Sequence, residues 1–233
     1  MGTIVAIIQV RMSSSRLPGK AMCNVRGRTI LGHVVDRLRQ CKTIDGIWIA
    51  TSTDRADEAI AAFAKRECIN LYRGSLEDVA GRLLNATRAA AADALVRINA
   101  DSPLIDPAIV DRAVTLYRNE RPDLVSNVLR RTFPRGQSVE VIGVSALARA
   151  YREITSADER EHVTPWFYAN PARVRIVGFE NALPRETMQL SVDTAEDLHR
   201  IEAILSRLGE PAAAHGLDAI LGAADGIEAS RSR

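Results

Sequence analysis

The chain is poor in lysine and cysteine and carries almost no excess charge. Lysine occurs only at Lys20, Lys42 and Lys65, so nearly all the positive charge is arginine. The formal net charge is only +2. That excludes a general binder of nucleic acid or membrane surfaces and leaves local charge placement to carry the information. The cysteines, Cys23, Cys41 and Cys68, are odd in number, and no pair has metal-ligand spacing. They read as reduced thiols rather than a disulfide framework. No apolar run approaches ~18 residues, and no basic segment precedes Ile4. The expected location is the cytoplasm, with neither nucleic acid nor membrane as a partner. Internal repeats and low-complexity linkers are also missing.

What is present is a regular alternation. With 233 residues and 46% hydrophobic content, the chain can bury a sizeable core. "TIVAIIQV" is a β-branched run suited to a strand buried on both faces. Ile30, Leu31, Val34, Val35 and Leu38 then repeat at helical spacing. "GIWIAT" (46–51), "INLYRG" (69–74) and "ALVRIN" (94–99) read as further strands. They alternate with helices over 54–67, from the cap Ser75 (Asp78 at the third helical position) to about Ala92, and from the cap Asp106 with Pro107 at the first helical position. Four rounds of strand and helix predict a three-layer α/β fold with a mostly parallel sheet. After Asp123 the rhythm loosens. "DLVSNV" and "SVEVIGV" read as a small antiparallel excursion around the loop "LRRTFPRGQ". A helical region follows over 146–169, then strands "RVRIVGF" and "MQLSV", and a helix from Thr194 to Leu208. The reading is one domain over 1–223 with 224–233 as a tail.

In an open parallel sheet, ligands bind beyond the carboxyl ends of the strands. After the first strand come Arg11, Ser13, Ser14, Ser15, Arg16, Gly19 and Lys20. Backbone N–H groups of a tight small-residue loop can cradle an anion, arginine grips phosphate bidentately, and lysine adds a mobile charge. The loop is neither a P-loop nor a Rossmann glycine motif. Its parts suit a polyphosphate; the alternative is a solvated basic loop. After the fourth strand comes Asp101, and Asp193 follows "LSV". Each aspartate has a purely structural alternative, Asp101 starting a turn and Asp193 capping a helix with Glu196 at the third position. Together with the basic loop they suggest a hard cation bridging phosphates.

"RMSSSRLPGK", "RGSLEDVAGR", "NADSPLID", "EHVTPWFY" and "SVDTAEDL" resemble, in order and over nearly the whole chain to about Leu208, the cytidylyltransferases that make CMP-activated acidic sugars. These are the acylneuraminate and KDO enzymes, and the spore coat polysaccharide biosynthesis branch is the nearest in likeness. The resemblance implies a nucleotide-diphospho-sugar transferase fold with a small antiparallel dimerisation arm, and a homodimer. It implies transfer of CMP from CTP to an acidic sugar, with Mg²⁺ and release of pyrophosphate. By motif position, Arg11, Arg16 and Lys20 hold the triphosphate, with Ser13, Ser14, Ser15 and Arg82 near the nucleotide; Asp101 and Asp193 are the metal ligands; Arg11, Lys20 and Asp101 are catalytic. The sialic acid enzymes usually read R-x-G-S-K-R-x-P-x-K in the loop. Here Ser13 replaces the glycine and Ser15 the first lysine, so one phosphate-facing cation is absent. Ala100 stands where the usual glycine precedes the metal aspartate.

For the sugar, the candidates are Arg130, Arg131 and Arg135 as a carboxylate grip, Glu140 for hydroxyls, and His162. Their alternatives are a solvated loop, the polar side of an edge strand, and a helix-surface or interface histidine. Trp166 and Phe167 read as packing across a subunit interface. Two rival functions remain at this point: a glycosyltransferase that consumes a nucleotide sugar, and a silent nucleotide-binding subunit.

Overall fold

The first apolar run becomes β1 (Ile4–Gln9), and its two faces feed two different cores. The computed structural model describes residues 2–231. After β1 come a short ribbon of β2 (Asn24–Val25) and β3 (Arg28–Thr29), α1 (Ile30–Leu38), β4 (Gly46–Ser52), α2 (Glu58–Arg66), β5 (Asn70–Gly74), α3 (Val79–Ala89), β6 (Ala94–Asn99) and α4 (Pro107–Glu120). The remainder is β7 (Leu124–Ser126), β8 (Glu140–Gly143), α5 (Val144–Glu153), α6 (Ala157–His162), α7 (Pro165–Ala169), β9 (Ile176–Gly178), α8 (Ala195–Leu208) and α9 (Leu217–Arg231).

Among the described residues, seven strands form one sheet in the order β5-β4-β1-β6-β8-β7-β9, parallel except for β8, which runs antiparallel to both neighbours. Ile4, Ala6 and Ile8 pack with α1, α2 and α4 on one side. Val5 and Ile7 pack with α3, α5 and the segment around α7 on the other. Successive side chains of a strand point to opposite faces, so an uninterrupted apolar run is what a central strand of a three-layer fold requires. A third cluster joins α8 and α9 to Val25, Ile30, Leu104, Leu190 and Val192 beside the sheet.

The expected fold class stands, with local differences. The small antiparallel unit is the β2–β3 ribbon; the strands after Asp123 join the main sheet instead. The cap of α3 is Asp78, whose side chain accepts from Gly81 N, and the helix ends at Ala89. Ser75 Oγ accepts from Asp78 N one step earlier, so the two polar groups act in series. Residues 146–169 are three short helices rather than one region. "MQLSV" forms no extended ladder: Gln189 makes one parallel bridge with Arg135. Its apolar alternation serves the third cluster, where Leu190 and Val192 are fully buried. The backbone of Gly136, at φ 96°, approaches so closely that a Cβ there would lie 2.6 Å from Leu190 C. The expected tail continues α9 as far as Arg231. Ala224 is buried, Ile227 packs on the third cluster, and Asp225 pairs with Arg185. Residues 232–233 of that tail lie outside the described residues. Trp166 and Phe167 are buried in the chain's own core, edge to face, rather than presented to a partner.

Candidate active site

The carboxyl ends of β1 and β6 open into a cleft of about 460 Å³. The loop after β1 forms one wall. Its turn closes where Gly19, at φ 74°, donates to Met12 O at 2.9 Å. The loop is pinned from below by Asp57, a buried carboxylate that accepts from Met12 N (2.7 Å), Thr51 Oγ1 (2.9 Å), and both Ser52 N (3.0 Å) and Ser52 Oγ (2.5 Å). Burial alone would raise the Asp57 pKa, but the bonds from Ser52, Met12 and Thr51 outweigh it and hold the group below the usual range. Asp57 therefore holds the loop as a hydrogen-bonded carboxylate.

Lys20 is the centre of the site. Its Nζ donates to Asp101 Oδ2 at 2.9 Å, Asp193 Oδ1 at 2.9 Å and Val192 O at 2.7 Å. Burial opposes its charge, yet the two aspartates prevail and raise its pKa. Arg16 also reaches Asp193 Oδ1, at 2.9 Å, and Arg11 pairs with Glu161 at 2.6 Å across the mouth. Asp193 is not the helix cap. Thr194 caps α8 in a capping box with Asp197, which leaves the Asp193 carboxylate facing the cleft. Asp101 accepts from Ser102 Oγ on its other oxygen at 3.2 Å.

Arg82, on α3, also lines the cleft. Its Nη1 donates to Ser75 O at 2.6 Å, while its buried Nε has no partner. Burial, then the nearby Arg11, lowers its pKa. Ser14 and Ser15 line the cleft; Ser13 is exposed outside the lining. In total, five cationic side chains face three carboxylates, a balance suited to a polyanion.

A second hollow of about 230 Å³ adjoins the first and is lined by Arg131, Ser138, Glu140, His162 and Thr164, with Arg97 and Asn99 shared. Glu140 is buried and held on both oxygens, by Arg97 Nη1 at 2.6 Å and by Tyr168 OH at 2.6 Å. Burial first, then the Glu140 carboxylate, pushes the Tyr168 phenol far above its usual pKa, so it remains a donor. The three loop arginines separate. Arg131 faces the hollow, Arg130 pairs with Glu180 at 3.3 Å, and Arg135 is exposed and lines neither space. His162 stands at the rim between the two, 58% exposed, with Asp158 as its neighbour at 3.4 Å.

Asp57, Arg97 and Glu161 were not singled out from the sequence. Arg97 had a readable signal: in "ALVRIN" it and Asn99 share one face of an otherwise apolar strand, opposite Ile7 and Gln9 of β1. Asp57 meets the loop across 45 residues and nothing local marks it; Glu161 meets it across 150 residues and stands beside His162 in "EHVTPWFY", a stretch read there for its histidine and aromatics.

A cationic cleft of this size at the carboxyl ends of parallel strands, with two carboxylates converging on one cation, is suited to a bound polyanion on an α/β sheet. The cytidylyltransferase family pattern matches residues 5–215, and the chain belongs to that family of CTP-dependent nucleotidyltransferases. It is 34% identical to an uncharacterized protein of Methanocaldococcus jannaschii, over 83% of this chain and 79% of that one. It is 30% identical to the spore coat polysaccharide biosynthesis protein SpsF of Bacillus subtilis, over 90% and 89%. A 3-deoxy-manno-octulosonate cytidylyltransferase of Geobacter metallireducens is 33% identical over 48% of this chain and 43% of its own length. A solved cytidylyltransferase from Leptospira borgpetersenii superposes with a TM-score of 0.91 at 28% identity, covering 100% and 96%. Among the described residues no helix is long and apolar enough to cross a membrane.

Proposed function

We propose that this enzyme transfers the cytidylyl group of CTP to a hydroxyl of an acidic sugar, releasing pyrophosphate, in the making of a surface polysaccharide. The supporting observation is Lys20 held between Asp101 and Asp193 beside Arg11 and Arg16, in a cleft that opens onto a second, arginine-lined hollow. The names of the octulosonate and spore coat relatives support the sugar class and the pathway.

Asp101 and Asp193 fit a magnesium ion. Their oxygens are hard donors that already converge on one cation, and magnesium needs only one or two carboxylates beside substrate phosphates. Among the described residues no cluster of three or more His, Cys, Asp or Glu side chains offers an alternative. Bound there, the ion supplies neutralising charge to phosphate oxygens. Lys20, Arg16 and Arg11 would hold the triphosphate, with Arg11 giving up Glu161 for a phosphate oxygen. The acceptor hydroxyl forms a bond to the α-phosphorus and loses its proton to solvent. The bond to the β-phosphate oxygen breaks, and Lys20, Arg11 and Arg16 stabilise the departing pyrophosphate. The protein's work is positioning and charge, with the loop pinned by Asp57.

The test is pyrophosphate release from CTP, UTP, ATP and GTP with 2-keto-3-deoxy sugar acids, with and without Mg²⁺. Release from CTP that is abolished by chelation is the expected result. Release of a nucleotide from a nucleotide sugar, without pyrophosphate chemistry, would favour a glycosyltransferase instead.

A further inference from the structure

Of the side chains shared by the two spaces, Arg97 is the one fixed in place. His162 is largely exposed at the rim. Arg97, by contrast, rises from the centre of β6 with a side chain 14% exposed. Its Nε donates to Gln9 Oε1 at 2.9 Å; its Nη1 donates to Glu140 Oε2 at 2.6 Å and contacts Thr164 Oγ1 at 3.4 Å. Two nitrogens of the fork are thus held by acceptors from β1 and β8. The third, Nη2, has no hydrogen-bond partner and is not sealed from solvent. The brace continues behind Glu140. Tyr168 OH donates to its other oxygen at 2.6 Å and shares a 2.7 Å hydrogen bond with Ser126 Oγ.

Glu140 is buried, and each of its oxygens already accepts one bond from the protein. Its place in the network is to orient and charge-balance Arg97. Arg131, on the facing loop, bonds only the Ser138 hydroxyl, at 3.3 Å. So the hollow presents two guanidinium groups and one buried carboxylate that is already paired with Arg97. The free N–H groups of Arg97 Nη2 can donate to a carboxylate, and a guanidinium oriented in advance lowers the entropic cost of binding it.

We propose that Arg97 reads the acid group of the sugar acceptor at the wall between the two spaces, with Gln9 and Glu140 as its positioning residues. This rests on the acidic-sugar reading above. Removing Arg97 alone leaves the buried Glu140 charge unpaired and risks unfolding. The informative variant is therefore Arg97→Gln combined with Glu140→Gln, with Arg97→Lys alongside and circular dichroism as a fold control. The probes are 3-deoxy-manno-octulosonate, other 2-keto-3-deoxy sugar acids, and the C1 amide of each. The readout is kcat/KM by pyrophosphate release, together with KM for CTP.

Wild type is expected to prefer acid over amide by about 100-fold or more. The double variant should lose about 10- to 100-fold of that preference while KM for CTP stays within about twofold. The lysine variant, with charge but no fork, should lie between them. Equal loss on acid and amide assigns Arg97 a structural role and overturns the inference. A wild type that uses only neutral sugars overturns it too, while leaving cytidylyl transfer intact. No pyrophosphate release from CTP with any acceptor overturns both readings.

Discussion

Two clefts of nearly equal size mark this molecule, about 460 Å³ at the carboxyl ends of β1 and β6 and about 430 Å³ behind α1. Both have two more cationic than carboxylate side chains in their linings. Beside each, one cation sits between two carboxylates: Lys20 between Asp101 and Asp193, and Arg28 between Asp36 and Glu67, which lies just outside the rear lining. Charge count does not tell them apart; the use of donors does. At the rear cleft's edge Arg28 engages both carboxylates with its full fork, at 2.6 to 2.9 Å. Arg39 joins the same pair of carboxylates, and Arg37 is buried with its donors on Ala212 O and His215 O. Burial pushes Arg37 down to about 10, and Arg28 first, with burial opposing, holds Glu67 at about 2. That cluster ties β3, α1 and the end of α2 together. In the front cleft the link is a flexible ammonium, and donors on Arg82 and Arg97 remain free. A saturated fork makes a clamp, whereas an exchangeable point charge beside open donors makes a site.

Four substitutions probe that contrast. Asp101→Asn should lower pyrophosphate release by about 10³-fold with little change in melting temperature, since the loss is of transition-state charge stabilisation. Unfolding of the variant would instead make Asp101 a clamp like those behind α1. Lys20→Met should cut kcat/KM for CTP by about 10²-fold. It should also tighten Mn²⁺ binding without nucleotide, because the ammonium no longer occupies both carboxylates; unchanged Mn²⁺ affinity would contradict an exchangeable charge.

The rear cluster should behave in the opposite way. Glu67→Gln should cost about 1–3 kcal/mol of stability and leave turnover within about twofold. Glu67 titrates at about 2 when folded against an ordinary 4.5. Its stabilisation is therefore complete above that ordinary value and is lost as pH falls toward 2. The gap between wild type and variant in denaturant titrations should close on acidification; a constant gap would remove the ion pair as its cause. Smallest is Arg39→Ala. Its exposed contacts of 3.2 and 3.3 Å should be worth about 0.2–1 kcal/mol, measured by urea unfolding and weakened by salt.

Much of the front cleft is legible in the sequence. Strand alternation placed the loop at 11–20 and Asp101 beyond strand ends, and open parallel sheets bind ligands there. Asp193 was readable as a candidate, but local sequence could not separate it from a helix cap; the capping box at Thr194 and Asp197 does. The three loop arginines were indistinguishable in sequence, and only the course of the loop sends Arg131 inward and Arg130 to Glu180. In sequence Arg97 reads only as part of a strand, although a cation in a central apolar strand calls for a partner. The apolar period of "MQLSV" was real, yet it served side-chain burial rather than a ladder.

By itself the sequence determined the layers, because an apolar run continuous over β1 and helical spacing in α1, α2 and α4 can be buried in few other ways. It also determined which chemical groups stand at the strand ends. Tertiary structure alone decided the pairings. Lys20 meets Asp193 across 173 residues and Arg11 meets Glu161 across 150, and hydrogen bonding acts over about 3 Å. Only the packed sheet, with α8 and α6 set against its carboxyl edge, brings those groups within that reach.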